Sequence, residues 1–386
     1  MKPSTIQEPR GFTLIELLIA MALGLILLAA ATQLFKNGMD ASRLVSQRSE
    51  VQDNLRAAVN LISRDVTLAG SGMPQGGMSL PYGPGNTGLS MFGKDPITTW
   101  VSPNTYPNGN FGTPPAAVSN YMYSLIPGPL QGMEKGGPAT IPATNQKADR
   151  ITSIYADYTF PLNQYTTTFA DNTGTKINFA VPAPAPNPPI PAAINGPGGI
   201  QVGDLILLSA NGASAVGEVT NLTKTSLTFA NADTLNINQT GIGAGGGGNI
   251  LSLCNPGPTC VVGPPIVITA YRIYAITYFI QVPAAAGQLP KLMRQVNGQA
   301  AQTVADDIIG LQFTYDVCDG TITPGVNPNC AGIPDLFASG FTPNDVHKVN
   351  ITVLGQSLLS YGNHAQNMQM TASVSTRDLT FRDRYQ

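Results

Sequence analysis

From Phe12 to Phe35 the chain is apolar at all but four positions, Thr13, Glu16, Thr32 and Gln33. As an α-helix this run covers about 36 Å at 1.5 Å per residue, more than the ~30 Å hydrocarbon core of a bilayer. The pattern then changes without stopping. Val51, Leu55, Ala58, Ile62 and Ala69 recur at steps of three and four residues or their sum, while Arg43, Arg48, Glu50, Asp53, Arg56 and Arg64 fall mostly elsewhere. That spacing predicts an amphipathic helix with one buried stripe. GSGMP, Gly70 to Pro74, ends it with a capping glycine and a breaker. The two runs therefore predict one helix from Phe12 to Ala69, weakest at Gly38, because glycine costs about 1 kcal/mol in a helix interior.

Beyond residue 70 the period falls to two. DRITSIYADYTF (149–160), GDLILLSANGASAVGEVTNLTKTSLTFA (203–230) and VVGPPIVITAYRIYAITYFIQV (261–282) alternate as strands do, the second as three short strands turning at ANG and NLTK. LPKLMRQVNG follows the third block, and QTVADDIIGLQFTYDVC reads as a short helical turn leading into a strand. HKVNITVLGQS (347–357) and MTASVSTRDLTFRD (370–383) read as closing strands. Residues 71–150 read as long loops with few strands, and VPAPAPNPPIPAAINGPGG (181–199) as a proline-rich linker or surface loop. The expected fold class is α+β: a long amino-terminal helix packed on a mostly antiparallel sheet body with long loops.

Composition narrows the function. Only 11% of residues are charged and the net charge is −2, with no cationic cluster of the kind that nucleic acid requires. In the leader, Lys2 and Arg10 outweigh Glu8, which keeps that end cytoplasmic and sends the body outward. A conventional secretory signal has a shorter apolar core with small residues after it. Here the run is too long, and the small residue, Gly11, precedes it. In an exported body the four cysteines, Cys254, Cys260, Cys318 and Cys330, are expected to form two disulfides. Of three possible connectivities, Cys254–Cys260 with Cys318–Cys330 is favoured because each pair brackets a turn rich in Pro, Gly or Asn. Their spacing does not suit zinc knuckles, and His347 and His364 lie in other segments.

GFTLIELLIA, Gly11 to Ala20, resembles the cleavage and methylation motif of type IV prepilins and type II secretion pseudopilins. The resemblance implies cutting between Gly11 and Phe12 by a prepilin peptidase, N-methylation of Phe12, and a role for Glu16 in pairing with the amine of a neighbouring subunit. The residues argue the same way. A carboxylate inside a membrane segment costs roughly 2.5–3.5 kcal/mol on insertion scales, so such residues are paired or functional. Cleavage would create a cation at Phe12 within one turn of Glu16, and a mispaired buried charge costs several kcal/mol, which makes the pair a register device.

Further along, RAAVNLISRDVTLAG, GDLILL, LMRQVNG and VADDIIGLQFTYDV occur in an order similar to the larger minor pilins of the PilW type and, more distantly, the GspJ pseudopilins. The implied organisation is a leader at 1–11, a membrane and assembly helix at 12–35, its amphipathic continuation at 36–69, and an exported body at 70–386, divided into lobes near 181–199. The implied partners are other major and minor pilins, the prepilin peptidase and the inner membrane, with the body periplasmic before assembly and on the pilus or cell surface afterwards. Motility and adhesion are the associated activities.

No catalytic motif stands against this. There is no G-x-S-x-G elbow, H-E-x-x-H or C-x-x-C, and GIGAGGGGN (241–249) lacks the Lys-Ser/Thr of a phosphate loop. Asp306, Asp307, Asp316 and Asp319 fit no twelve-residue calcium loop and read as solvated loop acids. A structural subunit with no cofactor is expected, in place of an enzyme.

Overall fold

The computed structural model of this chain describes residues 11–74, 76–79, 121–130, 132–136, 148–210, 212–230, 250, 253, 266–283, 288–317, 331–336, 341–361 and 364–376, together with 233, 235, 237, 238, 339 and 379. A single helix, α1 (Leu14–Leu68), runs for 55 residues through both predicted segments. It passes Gly38 unbroken, because turns on both sides hold the ladder and no group from outside the helix comes within 4 Å of a Cβ added there. Ala69 N–H donates to Val66 O, and Gly70, at φ 90°, turns the chain away in a conformation that suits glycine alone.

Seventeen strands follow among the described residues. They are β1 (Met78–Ser79), β2 (Tyr121–Met122), β3 (Leu125–Gly128), β4 (Met133–Gly136), β5 (Arg150–Asp157), β6 (Thr166–Phe169), β7 (Lys176–Ala180), β8 (Leu205–Ala210) and β9 (Ala213–Glu218). Then come β10 (Asn221–Leu222), β11 (Ser226–Thr228), β12 (Thr269–Pro283), β13 (Lys291–Val296), β14 (Gln302–Ala305), β15 (Ile308–Asp316), β16 (Lys348–Tyr361) and β17 (His364–Ser375). The fifteen-residue β12 is the axis of the largest sheet, ordered β14-β13-β12-β5-β3, with β8 and its hairpin partner β9 on one end and β4 running parallel along the other. A second sheet is β15-β16-β17, a third β10-β11-β7-β6, and β1 pairs β2. Apart from β4 on β12, every pairing is antiparallel.

Three differences from the sequence expectation have physical causes. Residues 302–316 are strand, turn and strand, with no helical turn: Asp306–Asp307 looks like a helix start, but Gln302–Ala305 pairs with β13, and Asp307 at φ 63° makes the turn. The 203–230 block holds four strands, because Asn221–Leu222 turns back onto β11. β17 starts at His364, six residues before the expected closing strand, since the β16–β17 ladder continues to Tyr361↔His364. The described part of 71–150 carries β1 to β4, and the proline-rich stretch runs over the third sheet, where Ile194 and Ile200 are buried and Pro191 O accepts from Tyr165 Oη at 2.5 Å.

The stripe of α1, Val51, Leu55, Ala58, Val59, Ile62 and Val66, lies in the main core with Ile351 and Val353 of β16 and Phe313 of β15. The helix comes close to β16 at Gly355, where an added Cβ would stand 2.8 Å from Val51 Cγ1 and 3.3 Å from Leu55 Cγ. One charge shares that stripe. Asp65 accepts from Tyr278 Oη at 2.5 Å, Tyr155 Oη at 3.2 Å and Arg294 Nε at 3.0 Å. Burial first, then the Asp65 charge, pushes both phenols far above their ordinary range, so they remain donors at any working pH. A second buried cluster joins strands to the proline-rich stretch: Arg272 pairs with Asp157 and donates from Nη1 to Gly199 O at 2.8 Å, with Asp204 at 3.7 Å.

Replacing Asp65 by Ala strands a buried hydroxyl, a half-buried one and a guanidinium, so unfolding free energy should fall by about 3 kcal/mol. Denaturant titration of the detergent-solubilised chain measures it; a loss below ~1 kcal/mol would mean the apolar stripe alone holds the helix.

Candidate assembly and processing site

The amino-terminal half of α1 stands apart from the body. Every residue from Gly11 to Arg43 is exposed, and Phe12, the first bulky side chain, is 88% accessible. Leu14, Ile15, Leu17, Leu18, Ile19 and their successors to Phe35 face outward all round. A helix apolar on every side and touching nothing belongs in lipid or among similar helices. Its polar side chains fit that setting, because Thr32 Oγ1 donates to Leu28 O at 3.0 Å and Ala29 O at 2.9 Å, leaving no hydroxyl proton unused. By length and composition this is the one membrane-spanning candidate among the described residues.

At the tip the sequence brings Gly11, Phe12 and Glu16 together. Thr13 is the N-cap, at φ −77° and ψ 151°, and its Oγ1 accepts from Glu16 N–H at 3.4 Å. In return Glu16 Oε2 accepts from Thr13 N–H at 3.0 Å and from Thr13 Oγ1–H at 2.9 Å. This reciprocal capping box satisfies the carboxylate within its own chain and places a negative charge on the positive end of the helix dipole. Sequence reasoning singled out Glu16 and passed over Thr13. The signal was present in the Thr13-Leu14-Ile15-Glu16 spacing, which has the S/T-x-x-E form of a capping box. Gly11 is exposed, and nothing among the described residues lies within 4 Å of a Cβ added there.

The remaining candidates do not converge. His347 precedes β16 and His364 opens β17; Asp306 pairs with Lys291 at 2.9 Å, and Asp316 accepts from Asn350 Nδ2 at 3.0 Å and Gly332 N–H at 2.8 Å. No three of His, Cys, Asp and Glu meet among the described residues. Cys254, Cys260, Cys318, Cys330, Asp319 and the 241–249 loop lie outside the described residues.

Comparison with known proteins agrees with this geometry at the helix. Residues 9–32 match the prokaryotic N-terminal methylation motif. The chain is 35% identical over 96 residues to the pilin-like protein PilA3 of Thermus thermophilus, a match covering 24% of this chain and 41% of that protein. No solved structure matches. A long apolar helix carrying this motif and followed by antiparallel sheets is the architecture of a type IV pilin-like chain.

Removing the cap is a local test of the tip. Thr13→Ala deletes an N-cap worth about 1 kcal/mol, so amide exchange at residues 14–16 in lipid nanodiscs should quicken roughly fivefold while exchange in the body stays unchanged.

Proposed function

We propose that this chain is a minor pilin of the PilW type, a structural subunit that enters the priming or tip complex of a type IV pilus through the first half of α1. The observation that carries the reading is the helix itself: apolar on all sides from Phe12 to Phe35, packed against nothing, and opened by an acid held in a capping box. In this reading residues 1–11 are a leader, 12–35 the membrane and assembly helix, 36–69 its body-facing half, and 70–386 the exported body, with lobes meeting near 181–199. A prepilin peptidase cuts after Gly11 and methylates Phe12. The body waits in the periplasm with the helix in the inner membrane, then passes to the fibre.

Glu16 does two jobs in sequence. In the lone subunit its oxygen is taken by Thr13, which lowers the cost of placing a carboxylate in lipid. In the fibre the same oxygen exchanges those neutral donors for the Phe12 ammonium of a neighbour, a charge-assisted bond of roughly twice the strength. The size and looped outline of the body suit a terminal place better than a repeating shaft, where bulk crowds the lattice. Pilus-driven motility and adhesion are the activities such a subunit serves.

Glu16→Ala should be cleaved, methylated and inserted normally, with its level in sheared fibres reduced at least tenfold; wild-type incorporation would defeat the pairing argument. Mass analysis of native protein should give a first residue of methylated Phe12. A deletion strain separates the two machines: loss of surface pili supports this reading, whereas trapped exoproteins with normal pili would make the chain a secretion pseudopilin. Non-reducing peptide mapping of the same material should recover two intrachain disulfides, Cys254–Cys260 and Cys318–Cys330, and four free thiols would refute an oxidised body.

A further inference from the structure

The sheet β15-β16-β17 has two margins, and the chain treats them differently. Along β15 the outward groups are taken up by loops. Ile308 N–H donates to Pro290 O at 3.0 Å, Leu311 O accepts from Asp149 N–H at 2.7 Å, and Phe313 N–H donates to Asp149 Oδ2 at 2.9 Å. Tyr315 and Ile333 exchange both backbone bonds, at 2.8 and 2.9 Å. Along β17 no partner other than β16 is found among the described residues.

That margin is also long and undefended. β17 has twelve residues, against four in β14, six in β9, four in β6 and two in β10 at other sheet edges. Exposed edges are normally kept short or carry charge or proline, since unpaired N–H and C=O groups template another strand. From His364 to Ser375 there is no Asp, Glu, Lys, Arg or Pro. Its two faces differ as well. Met368, Met370 and Ala372 pack on the α1 core yet are only partly buried, while Asn367, Gln369, Thr371 and Ser373 are exposed. Among the described residues no further strand covers the apolar groups beside the helix, although Leu379, just beyond β17, also packs on that core.

We propose that the outer edge of β17 docks an extended segment of a neighbouring pilin-like subunit, which adds a strand to this sheet. Main-chain hydrogen bonds hold it. Its side chains are apolar at alternate positions on the α1 side, where a charge would lose water against Met368 and Met370, and small and uncharged on the other. The neighbour is the fitting occupant because β17 flanks α1. A subunit whose helix lies along α1 brings its own body to this margin. The inference rests on the assembly reading above.

Amide exchange on the wild-type chain, alone in detergent and in fibres sheared from cells, tests it. Alternate amides of residues 365–375 should exchange quickly in the isolated chain and about tenfold or more slowly in fibres. Met370→Lys, a charge turned inward on an edge strand, gives up a partly buried contact with the α1 core and should lower the melting temperature by a few degrees, while leaving the chain folded and reducing incorporation at least tenfold; Gln369→Lys, on the exposed face, should keep the parent's melting temperature and assemble normally. Fibre-borne chains whose β17 amides still exchange quickly overturn this inference and leave the assembly reading standing. Amides already protected in the isolated chain, and released by deleting residues 377–386, would assign the edge to the chain's own carboxy terminus and overturn it too. Absence of the chain from fibres and from every pilin complex overturns both.

Discussion

Continuity of α1 is the constraint from which the rest follows. One hydrogen-bonded rod serves two surroundings, and it does so by changing its side chains while keeping its backbone. Over the first half each amide finds its partner inside the helix, the condition that lipid imposes; over the second half a stripe leaves solvent for the sheet. Because nothing breaks the ladder, Val51, the first fully buried residue, stands about 55 Å from the helix start. A contact at Glu16 therefore sets the position of the whole body. Gly38 remains the place where that transmission is softest, since a glycine lowers the local cost of opening.

Apolar burial alone would hold the rod loosely. The hydrophobic effect is non-directional, so the stripe from Val51 to Val66 fixes which face is buried but tolerates sliding and small rotations. Two features remove that freedom. At Gly355 the missing Cβ lets the helix seat against β16 at a distance no other residue would permit. Near the carboxyl end of α1, Asp65 is met by two phenols and a guanidinium, each on a different strand, β5, β12 and β13, and only one rotation satisfies all three. Such a network costs desolvation, and its return is position.

The sequence was legible where a single residue or a long period carried the information. Glu16 stands out because one charge interrupts an apolar run, and the helix because its 3.6-residue spacing persists from Val51 to Ala69. β12 and β16 were readable for the same reason, being long and alternating. What could not be read depends on partners far away in the chain. Asp65 and Arg294 carry no signal of their own in the sequence, and only folding joins them across 229 positions. The helical turn expected at the start of 302–316 failed because only pairing with β13 makes Gln302–Ala305 a strand, and no local pattern shows that partner. Thr13 lay between these cases: its spacing to Glu16 was visible, but a threonine beside so prominent an acid drew no notice.

The order of elements adds a last consequence. The stripe of α1 emerges first, yet much of its cover, β15 to β17, comes from the last strands among the described residues. Contacts of that sequence separation form late, because closing the loop costs entropy before any burial offsets it. Until then the amphipathic half of the helix is only partly covered, by β5 and the strands around it. Its outward charges, Arg43, Asp53, Arg56 and Arg64, keep it wetted, and in the reading proposed above the apolar half ahead of it is held in the membrane. The sheet then assembles on a rod already fixed at one end. A tethered start lowers the entropy still to be lost when β16 arrives, so anchoring and folding are two effects of the same helix.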